Sequence, residues 1–184
     1  LAGPVTVGVV LVPRNFDFTR IPGVRDSKQL SPRQRERMYA IARQLQRAGA
    51  LDFRVAMVGA KIIDRVGITR AVALATARAL SRLSCAPCDA EVRLDGLLHA
   101  PAFYIRQQTI VRGDQTEPVI SLASIMAKVT RDRYMARIAR RYPLYELGRH
   151  KGYGTLLHRQ HITCHGLCDL HRNYFCKFAT KNEY

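Results

Sequence analysis

Apolar and polar positions along the chain switch repeatedly between a period of two and a period of 3.6 residues. Short β-branched runs such as PVTVGVVLVP at residues 4–13 are typical of buried strands. Ser31, followed by Pro32 and by Gln34 three positions on, is a capping-box sequence that opens a helix. These patterns predict strands over residues 4–13, 51–59, 90–96 and 103–111, and helices over residues 31–47, 60–83 (broken near Gly67), 121–141 (capped by Ser121) and 155–165. Strands that alternate with helices predict an α/β layer fold, with residues 1–184 as a single domain.

The helix that contains ASIMAKVTRDRYMARIA, residues 123–139, interrupts its own apolar pattern. At 3.6 residues per turn one face carries Ile125, Val129, Asp132, Ala136 and Ala139. A carboxylate on a buried face needs an ion pair, a raised pKa or a metal ion. With 30 Lys and Arg in the chain, an ion pair is the ordinary explanation for one such residue.

Asp95 favours the metal ion instead. It stands at the carboxyl end of a predicted strand, the position at which α/β sheets bind ligands. One carboxylate from a strand end and one from a helix are half of a Mg²⁺ site of the kind that hydrolyses phosphodiesters. The sequence therefore points to Asp95 and Asp132 as candidate metal ligands and catalytic residues.

The net charge points to a polyanionic partner. The 30 Lys and Arg outnumber the 14 Asp and Glu, for a formal charge of +16. Basic side chains release counterions when they meet phosphates, so this excess favours nucleic acid. No apolar run approaches the roughly 20 residues that span a bilayer. Five cysteines, an odd number, are typical of a reducing compartment and favour a cytoplasmic protein.

Five motifs occur in a fixed order along the chain: LAGPV at residues 1–5, RDSKQL at 25–30, RLDG at 93–96, SIMAKVTRDRYM at 124–135 and RHKGYGT at 149–155. Together with HRNYF at residues 171–175, this set resembles the ribonuclease HII family over nearly the whole chain. The resemblance implies a ribonuclease H-like fold, with a central mixed β-sheet flanked by helices. It also implies a metal-dependent endoribonuclease, using Mn²⁺ or Mg²⁺, that cuts the RNA-containing strand of RNA–DNA duplexes, including at single embedded ribonucleotides.

The resemblance assigns roles to particular residues. Asp95 and Asp132 match the third and fourth of the family's four metal-binding carboxylates. Tyr153 matches the tyrosine that stacks on the sugar beside the ribonucleotide. Ser27 and Lys28 match one loop near the nucleic-acid backbone, and Lys151 matches a second. The expected partner is an RNA–DNA hybrid or a ribonucleotide-containing duplex, bound by a monomer.

One departure from the family pattern concerns its first strand. In the family, the residues corresponding to LAGPV directly follow Asp-Glu-Ala-Gly-Arg-Gly-Pro, which supplies two carboxylates and the turn that reads the 2′-hydroxyl. This chain starts at Leu1, and no Asp-Glu or Glu-Asp pair occurs in its 184 residues. We therefore expect a fragment that lacks the first strand, an incomplete two-metal site, and little or no activity of the chain as it stands. The alternative is a non-catalytic, basic duplex-binding protein on the same fold.

Several other polar residues receive structural explanations. Cys85 and Cys88 form a C-x-x-C, but their distance in sequence from Cys164 and Cys168 disfavours a zinc site. Asp26 and Asp114 fit turn formation. Most of the four histidines at positions 150, 158, 161 and 165 fit a solvated helix face, and none is assigned a role.

Overall fold

The computed structural model describes residues 1–24, 27, 29–96 and 98–179. The strands are β1 (Val5–Leu11), β2 (Asp52–Val58), β3 (Val92–Asp95) and β4 (Gln107–Ile110). The helices are α1 (Pro32–Arg47), α2 (Ala60–Val66), α3 (Ile68–Leu80), α4 (Gly113–Thr116), α5 (Pro118–Ile138), α6 (Leu147–His150) and α7 (Leu156–His165). This alternation of strands and helices confirms the predicted α/β class.

The chain divides into two compact units. The terminal unit comprises Leu1–Val5, Met57–Val72 and Thr130–Tyr184, and the central unit comprises Thr6–Ala56 and Ala73–Val129. Within the described ranges, no helix is long and apolar enough to cross a membrane.

The strands of the described residues form two small sheets. β1 pairs with β2, and β3 pairs with β4. β3 and β4 are parallel, with Val92 opposite Gln107 and Asp95 opposite Ile110. Asp95 therefore lies at the carboxyl end of a short parallel pair, as its sequence context predicts.

β1 is less buried than its apolar sequence predicts. Each of its seven residues is half-buried. The reason is that the strand lines an open groove of the central unit, although Gly8 packs tightly against α5. A Cβ atom on Gly8 would lie 2.3 Å from the carbonyl oxygen of Ala123. The continuous run of apolar residues thus predicted the strand correctly, but it overestimated how deeply the strand is buried.

Helix α1 begins with the predicted capping box. The Gln34 backbone N–H donates to Ser31 Oγ at 3.3 Å, and the Ser31 N–H donates to Gln34 Oε1 at 2.8 Å. Two donors that the first helical turn leaves without intrahelical partners are thereby satisfied. The inner face of α1 joins the main core of the central unit, whose buried members include Met38, Ala42, Phe53, Leu122, Ile125, Met126 and Val129.

Two predicted element boundaries were wrong. Helix α5 begins at Pro118, so Ser121 lies inside it rather than at its N-cap. The Ser121 hydroxyl instead donates to the carbonyl oxygens of Asp114, at 2.7 Å, and Glu117. β4 covers only Gln107–Ile110, whereas the apolar pattern predicted a strand over 103–111. Phe103 and Ile105 are exposed, so their hydrophobicity does not mark a buried strand.

Candidate functional site

Asp95 is held at the end of β3 by the turn that follows it. The Gly96 N–H donates to the Ile110 carbonyl at 3.0 Å, which closes the β3–β4 ladder directly after Asp95. The start of α4 passes close by, because a Cβ atom on Gly113 would lie 3.6 Å from Asp95 Oδ1. The carboxylate is half-buried and lines the groove of the central unit. This is a suitable position for a ligand of a hard cation.

A second carboxylate lines the same groove. Asp114 is buried and lies in α4, not in the loop that its sequence suggested. The groove has a volume of about 820 Å³ and runs along β1 and β3. Glu117 also lines it but is engaged by Arg93, at 2.8 Å. The burial of Asp114 could not be predicted from its neighbours, because Arg112-Gly113-Asp114 has the composition of a turn.

Ser27 lies in the central unit and is buried rather than exposed to a ligand. Its hydroxyl is 2.9 Å from the hydroxyl of Ser124 on α5. Arg35 donates to the Ser27 carbonyl at 2.8 Å. The side chain of Ser27 is therefore held against α5, and its predicted contact with nucleic acid stays a prediction. Lys28, the other predicted residue of the loop, lies outside the described residues.

Asp132 occupies a different environment from the one that its helical periodicity predicted. It is half-buried and belongs to the terminal unit. The fully buried residue of that turn is Met135, which packs with Ala2, Tyr145 and Leu147, whereas Ala136 is exposed. The expectation that Asp132 lies in the middle of a buried stripe was wrong. In this turn of the helix, the side that carries Met135 packs into the core, and Asp132 lies on a different side. A half-buried carboxylate remains accessible to a ligand.

Tyr153 lies on a tightly packed loop of the terminal unit. A Cβ atom on Gly152, whose φ is +80°, would lie 2.4 Å from the Ala2 carbonyl oxygen, and the Ala2 N–H donates to the Gly152 carbonyl at 3.0 Å. The Tyr153 side chain is 50% exposed, and the Arg131 guanidinium lies 4.8 Å from the centre of its ring. Lys151, just before, donates to the Gly148 carbonyl. The loop therefore presents an aromatic ring on a fixed backbone.

Positive charge is concentrated around this loop. Arg131 donates to the carbonyl oxygens of Ala2 and Pro4, and Arg172 donates to that of Gly3. Burial, and after it the charge of Arg131, lowers the pKa of the Arg172 guanidinium. Neither arginine forms an ion pair with a carboxylate of the described residues. Because these hydrogen bonds go to neutral carbonyls, the positive charge of both guanidinium groups can attract an anionic ligand such as a phosphate.

The histidines of the C-terminal third differ from the sequence expectation. His150 and His158 are buried, as is His171, so a solvated helix face does not describe them. α7 turns His158 inward together with Ile162, one helical turn later. Four histidines within sixteen residues were a visible signal, but no pattern in the sequence distinguished the buried from the exposed ones.

The described residues do not by themselves assemble a metal centre. Among them, no group of three or more His, Cys, Asp or Glu side chains is arranged to hold a metal ion. Asp95 belongs to the central unit and Asp132 to the terminal unit. The five cysteines are free thiols. Asp95 and Asp132 have the right ligand chemistry for a divalent cation, but two carboxylates are too few for a two-metal site.

Solved structures similar to this one define the class of fold. The chain of a PCNA:RNase HII complex from Archaeoglobus fulgidus matches with a TM-score of 0.72 and 20% identity, covering 100% of this chain and 91% of the other. Bst-RNase HIII in complex with Mn²⁺ matches with a TM-score of 0.70 and 20% identity, covering 97% of this chain and 65% of the other. At these identities the likeness establishes a ribonuclease H-type fold.

Sequence similarity then identifies the family. The sequence model of Ribonuclease HII matches residues 1–179. Ribonuclease HII of Thermosynechococcus vestitus is 44% identical over 183 residues, which cover 100% of this chain and 81% of the relative. The chain belongs to the ribonuclease HII family, whose members are ribonucleases H acting on RNA–DNA hybrids. The family resemblance carried by the five sequence motifs is thereby confirmed.

Proposed function

We propose that the protein cuts the RNA-containing strand at RNA–DNA junctions, including single embedded ribonucleotides, with Asp95 and Asp132 as ligands of Mn²⁺ or Mg²⁺. The observation that carries this proposal is the half-buried Asp95 carboxylate at the end of β3, on the wall of a groove. Asp95 and Asp132 would hold divalent ions, which would supply the activation of water and the stabilisation of the leaving oxygen. The Mn²⁺ in the Bst-RNase HIII structure supports the choice of ion.

The groove of the central unit offers a place for a further strand, which would complete the metal site. Among the described residues, β1 pairs only with β2 and β3 only with β4, and β1 and β3 both line the groove. An unpaired strand edge is a template for another extended segment. We infer that this groove receives the family's Asp-Glu and Gly-Arg-Gly strand, which would bring two more carboxylates beside Asp95. The family match includes residues of both compact units, which supports one functional domain.

The basic loop of the terminal unit supports the contact with nucleic acid. Tyr153 offers an exposed aromatic face, on which a sugar or base can stack. Arg131 and Arg172 supply positive charge beside it, and Lys151 precedes it. Phosphate contacts of this kind position a duplex without reading its sequence. Recognition of the 2′-hydroxyl is assigned to the strand carrying Gly-Arg-Gly.

The test compares this chain with a version extended upstream by the native residues. Each is incubated with a DNA duplex that holds one ribonucleotide, in Mg²⁺ or Mn²⁺, and nicking is measured on a denaturing gel. We expect the extended protein to nick and the present chain to be inactive. Asp95→Asn and Asp132→Asn in the extended protein should each lower the rate roughly a thousandfold, which corresponds to about 4 kcal/mol.

The matched control is Asp169→Asn, an exposed carboxylate of the terminal unit that forms an ion pair with Lys61. It should retain the full rate. An extended protein without metal-dependent nicking would overturn the proposal. Unchanged nicking by Asp132→Asn would remove that residue from the site.

A second candidate function is duplex binding without cleavage. The net charge of +16 and the lack of a three-ligand metal group among the described residues favour it for the chain as it stands. Tight, salt-sensitive binding of the duplex by the extended protein, with no nicking in either metal, would decide for this alternative.

A further inference from the structure

Three buried histidines of the terminal unit form one contiguous cluster, joined by a ring stack and a hydrogen bond. His150, His158 and His171 are 8%, 0% and 3% exposed. The rings of His150 and His158 stack with their centres 4.1 Å apart. His158 Nε2 lies 3.1 Å from His171 Nε2. Ionisable side chains this deeply buried require a partner for each polar atom.

The backbone partners assign one proton to each ring of the His158–His171 pair. His171 Nδ1 accepts from the Cys168 N–H at 2.9 Å, so the neutral ring carries its proton on Nε2. That Nε2–H donates to Nε2 of His158, whose own proton must therefore lie on Nδ1. His158 Nδ1–H then donates to the Tyr153 carbonyl at 2.9 Å. A single arrangement of protons satisfies all four ring nitrogens.

His150 is neutral by the same reasoning. Its Nδ1 accepts from the Gly152 N–H at 3.2 Å, and its Nε2–H donates to the Tyr145 carbonyl at 2.8 Å. His150 and His158 thus bind backbone groups of two consecutive residues, namely the N–H of Gly152 and the carbonyl of Tyr153. All ring nitrogens are engaged, which leaves no lone pair for a metal ion.

A further proton would break this set. On His158 it would place an N–H at Nε2 directly against the Nε2–H of His171, so that two donors would face each other. Burial also lowers the pKa of His158 to about 4, and lowers those of His150 and His171. The neutral arrangement is therefore the stable one at neutral pH.

We propose that His158, held in its tautomer by His171, is a positioning residue that fixes the backbone of Tyr153 for contact with the nucleic acid. The inference rests on the proposed function, because it concerns the same Tyr153. The Tyr153 ring is half exposed and lies against the Arg131 guanidinium, and the point from which the ring extends is set by the Tyr153 backbone. Besides His158, the Thr155 N–H also binds the Tyr153 carbonyl, at 2.9 Å, but it belongs to the same loop. His158 ties that carbonyl to α7.

The first test measures binding of a fluorescent DNA duplex with one ribonucleotide, by anisotropy and without divalent metal, so that no cleavage intervenes. Tyr153→Ala should weaken binding about tenfold, as expected for loss of one stacking contact. His158→Leu should weaken it to a similar degree, and the double variant should be no weaker than either single variant. His158→Asn, whose amide can donate from nearly the same position as Nδ1, should bind like the native chain. His99→Ala, an exposed histidine of the central unit, is the control.

The second test needs no nucleic acid and no variant. Long-range ¹⁵N–¹H NMR spectra of the histidine rings report which nitrogen carries the proton. We expect the Nδ1–H form for His158 and the Nε2–H form for His150 and His171. An Nε2 proton on His158 would overturn the inference.

The outcomes separate this inference from the proposed function. A folded His158→Leu that binds like the native chain, while Tyr153→Ala binds weakly, would overturn the positioning role and leave the function intact. Native affinity of Tyr153→Ala would instead refute the proposed contact of Tyr153 and, with it, the reason for positioning that residue. Should His158→Leu fail to fold, as judged by circular dichroism, weak binding by a folded His158→Asn would still count against the inference.

Discussion

Gly152 shows how one residue can decide the position of the Tyr153 loop. Its φ of +80° is unfavourable for any residue with a side chain, and an added Cβ would lie 2.4 Å from the Ala2 carbonyl oxygen. We expect Gly152→Ala to lower the free energy of unfolding by about 2 to 4 kcal/mol, through backbone strain plus a steric clash. Urea denaturation followed by circular dichroism measures the change.

The control for this prediction is Gly166→Ala in the same unit. Gly166 has a φ of +73°, but nothing lies within 4 Å of its Cβ position. Its ψ of −163° places it in a region essentially confined to glycine, so only a backbone cost of about 1 to 3 kcal/mol should apply there. Equal destabilisation by the two substitutions would show that the close approach of Ala2 is energetically unimportant.

At the scale of single elements, the capping box of α1 can be tested directly. Ser31 is exposed and accepts from the Gln34 N–H, so Ser31→Ala removes one cap without disturbing the core. We expect a loss of about 1 kcal/mol in the free energy of unfolding. Ser31→Asp should restore it, because Asp is a good N-cap and its charge favours the positive end of the helix dipole. A Ser31→Ala variant as stable as the native chain would mean that water replaces the cap.

Strand β1 shows that the sequence of a single element does not determine how deeply that element is buried. The apolar run of β1 has the composition of a buried strand, yet it is half-buried along its length because it borders the groove with β3. Burial depends on the neighbours of a strand, which local sequence does not specify. The edges of β1 and β3 that have no partner strand among the described residues are therefore a consequence of how the elements assemble.

At the scale of the whole molecule, the buried histidines predict the response to acid. The unfolded chain takes up a proton on each histidine near pH 6.5, whereas burial keeps the folded pKa of His158 at about 4 and lowers those of His150 and His171. Their contribution to stability is complete above pH 6.5 and falls as the pH drops from 6.5 to 4, because the unfolded state then binds more protons. The charged or titratable groups near His150 are Glu146, His161, the amino terminus and the two other buried histidines.

Urea denaturation at pH 7.5, 6 and 5 measures this dependence. We expect the free energy of unfolding to decrease with each step, and to decrease less steeply in His158→Asn, which lacks one of the three groups. His99→Ala should keep the native slope, because His99 is exposed. A native chain equally stable at pH 5 and pH 7.5 would contradict the neutral histidine set.

The sequence by itself determined the α/β class, the capping box of α1, the break at Gly67 and the family. These features can be predicted because periodicity, caps and motifs depend on residues that are close together in the sequence, and not on the residues that pack against them. It also placed Asp95 at the end of β3, since the Asp-Gly that closes a strand is likewise a local signal.

Only the tertiary structure decided which side chains are buried and what they contact. In the folded chain Met135, not Asp132, is the buried residue of its turn of α5, and the Ser27 hydroxyl lies against Ser124. His150, His158 and His171 form one buried cluster through a ring stack and a hydrogen bond. These residues are up to 97 positions apart in sequence, as for Ser27 and Ser124, so no local pattern links them. Burial and protonation arise from such long-range neighbours, and they become visible only when the chain is folded.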